Sequence, residues 1–81
     1  MQQLTKEEVK WLRDVQKVLD KCPSKRLGFY TIGDPNIFLY NLDYQDEIDS
    51  EGGDLIHILR REGWGFEETI DFPGRVEGVC G

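Results

Sequence analysis

The sequence is poor in the residues from which most active sites are built. It has a single histidine, His57, two serines, Ser24 and Ser50, and two cysteines, Cys22 and Cys80. Nucleophilic catalysis needs a hydroxyl or thiol within reach of a base, and a structural zinc site needs four closely spaced Cys or His ligands. No C-x-x-C, G-x-S-x-G, phosphate-binding loop, H-E-x-x-H or G-x-G-x-x-G occurs. The expectation is therefore a protein that is not an enzyme, with no catalytic residue, no cofactor and no metal. Cys22 and Cys80 read as ordinary reduced thiols, since pairing them would require the C-terminal tail to fold back beside the end of the first helix.

Long apolar runs are also missing. The longest, Ile37 to Tyr40 and Leu55 to Leu59 with His57 inside it, fall far short of the roughly 20 residues that cross a bilayer. The opening "MQQLTKEEVKWL" lacks the basic start and apolar stretch of a secretory signal. No membrane association is expected, and the cytoplasm is the expected location. With 81 residues the chain supports one small core, so residues 1–81 read as a single small domain.

What the chain has in excess is negative charge, unevenly placed. Residues 1–26 hold seven Lys or Arg against four acids, whereas residues 27–81 hold three against twelve. An acidic body repels nucleic-acid phosphate and attracts basic protein surfaces. Direct nucleic-acid binding is not expected. The acids are densest in "LDYQDEIDSEGGD", residues 42 to 54, which has no Lys or Arg of its own. Glu47, Asp49, Glu51 and Gly52 imitate the start of a calcium loop, but Asp54 and Ile58 occupy positions where that loop needs an apolar residue and a bidentate Glu. Two readings stay open. Asp43, Asp46, Glu47, Asp49 and Glu51 form a docking surface for a basic protein, in which such charges steer and orient association. Alternatively they are a solvated loop in which Asp49 or Ser50 caps the next helix.

The pattern along the chain is α+β, in the order helix, strand, strand, helix, strand. Thr5 and Glu8 make a capping box, with Leu4 and Val9 as its hydrophobic staple. From there Val9, Leu12, Val15, Leu19 and Cys22 mark one buried face of a helix over about 6–21, ended by Pro23. Aromatic and β-branched runs around Asp34-Pro35-Asn36 predict a hairpin over about 27–43. Apolar groups fall on both of its faces, so the second face is left for aromatics or a partner, and a homo-oligomer stays open. "LIHILRREG" predicts a helix over about 54–62, with a strand as the rival because Leu55 to Leu59 is short and β-branched, and "GFEETIDF" a strand over about 66–72. Trp64, between two glycines, is expected to fold back onto the core, and "RVEGVCG" to add a short edge strand. The economical packing is two layers, a three-stranded, mainly antiparallel sheet packed on one face by two helices.

The run "LTKEEVKWLRDVQKVLDKCPSKRLGFYTIGDPNIFLYN" resembles the small uncharacterised accessory proteins of tailed bacteriophages and prophages. The resemblance covers about half of the chain and carries no motif of known chemistry, so it transfers no functional residue. It implies a phage protein in the host cytoplasm that acts by protein binding, modulating a host factor. The other readings are a nucleic-acid mimic and a structural or homo-oligomeric module without a ligand.

Overall fold

The computed structural model describes residues 2–77. The class and order are as the pattern predicts: α1 (Lys6–Asp20), β1 (Leu27–Tyr30), β2 (Asn36–Asn41), α3 (Leu55–Glu62) and β3 (Gly65–Asp71), with a three-stranded antiparallel sheet in the order β1-β2-β3. An additional 3-10 turn (Leu42–Tyr44) and a short helix, α2 (Gln45–Glu51), occupy the acidic stretch, which is therefore helical and not an open loop.

The capping box of α1 forms in both directions. Thr5 Oγ1 accepts from Glu8 N at 3.1 Å, and Thr5 N donates to Glu8 Oε1 at 2.8 Å. The expected burial of the α1 stripe does not follow. No residue of α1 is buried, and Val18 is 72% and Trp11 53% exposed. The reason is position. The core, Ile48, Ile58 and Leu59, joins α2 and α3 to the sheet face that carries Tyr30 and Tyr40. The α1 stripe instead borders the opposite face, with Phe29, Ile37, Leu39 and Ile70, across a groove of about 620 Å³. The helices thus lie on two faces, not on one. The alternation of the strands makes this arrangement possible, because both faces are apolar.

The hairpin connection also differs from the expected corner. Asn36 opens β2, and the reversal runs through Thr31 to Pro35, with Gly33 at φ 92° and its N–H donating to Thr31 Oγ1 at 3.2 Å. Gly28 allows Tyr40 to lie across β1, since a Cβ there would meet the Tyr40 ring at 2.6 Å. Residues 75–77 of the expected tail strand carry no strand structure, and residues 78–81, with Cys80 among them, fall outside the described range.

Candidate functional site

The acidic element is fixed to the body at three points. Asn41 ends β2 and its backbone N–H donates to Trp64 O at 2.9 Å, while Leu42 N donates to Arg26 O at 2.6 Å, so the start of the acidic stretch is tied to the residues that open β1 and β3. The Asn41 side chain then caps the 3-10 turn by accepting from Asp43 N at 2.9 Å. Tyr44 stacks flat on Trp64, with ring centroids 4.4 Å apart and planes 3° from parallel. Trp64 is half-buried against the core, as its flanking glycines predict.

One apolar residue anchors α2. Ile48 is 6% exposed and packs with Ile58 and Leu59. With Ile48 inward, the 3.6-residue repeat turns Asp46, Glu47 and Ser50 outward, and all three are exposed. Gln45 lies on the inner side, where its Oε1 accepts from the Tyr40 hydroxyl at 2.6 Å and its Nε2 donates to Asp49 Oδ1 at 2.8 Å. Gly52, at φ 63°, ends the helix in the left-handed conformation. The next cap is Asp54, whose carboxylate accepts from Ile56 N at 3.4 Å. Asp49 and Ser50 lie within α2, which corrects their expected role as the cap of α3.

The five candidate carboxylates divide into four and one. Glu51 is taken up by Arg61, whose Nη2 donates to it at 2.5 Å and whose Nε donates to Glu62 at 3.0 Å. The two carboxylates raise the Arg61 pKa above its ordinary value, Glu62 chiefly by its hydrogen bond and Glu51 chiefly by its charge. Asp43, Asp46, Glu47 and Asp49 are exposed, and among the described residues no Lys or Arg nitrogen lies within 4.0 Å of any of them. Helix electrostatics explain only part of this set. Asp46 and Glu47, in the first turn, favour the positive end of the helix dipole, whereas Asp49 lies nearer the negative end, where a carboxylate is unfavourable.

The calcium-loop frame does not form. Glu47 and Glu51 lie one turn apart on one face of α2 with Asp49 turned to the other side, and among the described residues no three His, Cys, Asp or Glu side chains converge on a metal-sized site. His57 is exposed on α3, and Cys22 is exposed with its thiol donating to Ser24 O at 3.3 Å.

Sequence reasoning misses one feature of consequence, the apolar groove between α1 and the sheet. Its signal is present in the two apolar faces of the hairpin. Among the described residues no helix is long and apolar enough to cross a membrane. No family model, curated protein or solved structure matches the chain.

Proposed function

We propose that the protein acts by binding, without catalysis, and that Asp43, Asp46, Glu47 and Asp49 dock it onto a basic surface of another protein. The observation that supports this reading is their lack of an internal cationic partner among the described residues, on an element that is itself held firmly by Ile48, Tyr44 and Trp64. Glu51, paired with Arg61, shapes the edge of the site and contributes less to docking. Charges of one sign on a fixed scaffold accelerate encounter and set orientation. A cytoplasmic setting, and a phage protein that redirects a host factor, fit this mode of action.

Two forms of the protein, native and with Asp43, Asp46, Glu47 and Asp49 changed to Asn or Gln, are immobilised and exposed to a bacterial lysate at low and at high salt. The expected result is a partner retained by the native protein at low salt, weakened by salt, and lost with the neutralised variant. Equal retention by both would overturn the reading.

A further inference from the structure

We infer that the groove between α1 and the sheet is a self-association surface, in which two copies pack these faces together and α1 of each lies over the sheet of the other. A helix of 15 residues is marginal in water by itself and needs an apolar surface to stay folded. Its own chain supplies that surface only in part. Trp11, Val18 and Leu19 of α1, with Phe29, Ile70 and Phe72 of the sheet side, are all 38–72% exposed. Together they leave on the order of 600 Å² of apolar surface in water, taking about 150–250 Å² for a whole aromatic side chain. A standard interface covers about 800 Å² on each partner, so this face comes close to filling one by itself.

The overall dimensions agree. The radius of gyration is 15.3 Å, against about 12 Å for a compact domain of this length. The excess reflects a helix that stands off its own body. Residues 21–26, with Pro23 among them, connect α1 to β1 and leave the helix free to settle on a neighbouring sheet.

Charge makes a second copy the fitting occupant. Lys10, Lys17 and Lys21 recur along one flank of the α1 stripe, and Asp71 of β3, an edge strand of the sheet, borders the groove. Among the described residues none of these lysines reaches a carboxylate within 4.0 Å, and Asp71 reaches no Lys or Arg nitrogen. A two-fold contact requires a self-complementary patch. This face has one, an apolar centre with Lys10, Lys17 and Lys21 on one flank of the helix and Asp71 at the sheet edge on the other. The dimer leaves α2 on the outer side of each sheet, so the acidic element stays accessible in both copies.

The test is sedimentation equilibrium of the full chain from low micromolar to near-millimolar concentration. The native protein is expected to rise from 9.4 kDa toward twice that mass. Val18→Glu, at a position 72% exposed and outside the core, is expected to weaken association about tenfold or more while leaving the far-UV spectrum of dilute protein unchanged. In a mixture of isotope-labelled and unlabelled native chains, intermolecular NOEs are expected from the Val18 and Leu19 methyls to the Phe29 and Phe72 rings. A native mass of 9.4 kDa throughout would overturn the proposal and leave the groove to a different protein. A dimer insensitive to Val18→Glu and lacking those NOEs would overturn it equally.

Discussion

At the scale of single residues, the best-defined polar arrangement outside α2 is at the end of β3. Asp71 Oδ1 accepts from Thr69 Oγ1 at 2.7 Å and from Asn36 Nδ2 at 2.6 Å. Both hydrogen bonds favour the ionised carboxylate, Thr69 more than Asn36, and hold the Asp71 pKa below its ordinary value. A depressed pKa in the folded state contributes stability above the unfolded-state value of about 3.9, and that contribution is lost as pH falls through the lower folded value. A carboxyl-carbon NMR titration should therefore place the Asp71 midpoint below the ordinary range, with the Asn36 side-chain amide shifting in step. A midpoint at or above the ordinary value would contradict this linkage. Asp71 also illustrates what spacing alone hides. Asn36 and Asp71 face each other only because β2 and β3 pair in the observed register, and no local pattern announces a contact between residues so far apart in the chain.

At the scale of elements, legibility follows the number of apolar residues. α1, β1, β2, α3 and β3 each carry several at a regular period, and their types and order are readable, whereas the corner between β1 and β2 is not, since Asn36 belongs to β2. α2 has only Ile48, so no period can be counted, and the adjoining Gly52-Gly53 reinforces the impression of a loop. The Gly52 stop is its only local mark, since its own N-cap, Tyr44, makes no side-chain cap and Asn41 caps the preceding 3-10 turn. The cap of α1 is legible and its exposure is not, because a capping box reports where a helix starts and nothing about what covers it. That separation gives a test. Thr5→Ala removes a cap whose loss typically costs about 1 kcal/mol, yet α1 contributes nothing to the Ile48, Ile58 and Leu59 core. In dilute protein the variant should lose helical signal at low temperature while the urea transition of the Trp64 indole NMR resonance, resolved from that of Trp11 on α1, stays where it was. A parallel drop in that transition would show that α1 is integrated with the core after all.

At the scale of the whole molecule, two features are left over once the fold is accounted for: an apolar face covered incompletely on one side of the sheet, and four acids without a cationic partner among the described residues, on the element at the other. The acids carry the functional reading, whose central claim is that their charge serves binding and not folding. The salt-dependent capture tests the first half of that claim, and urea unfolding of the native protein beside the variant with Asp43, Asp46, Glu47 and Asp49 changed to Asn or Gln tests the second most directly. The variant gives up the favourable interaction of Asp46 and Glu47 with the helix dipole, and in exchange is relieved of mutual repulsion and of the unfavourable end position of Asp49. The predicted result is a stability within about 1 kcal/mol of the native value, on either side. A loss well beyond that, about 2 kcal/mol or more, would mean that these carboxylates hold the fold together and would contradict the claim that they are kept for a partner.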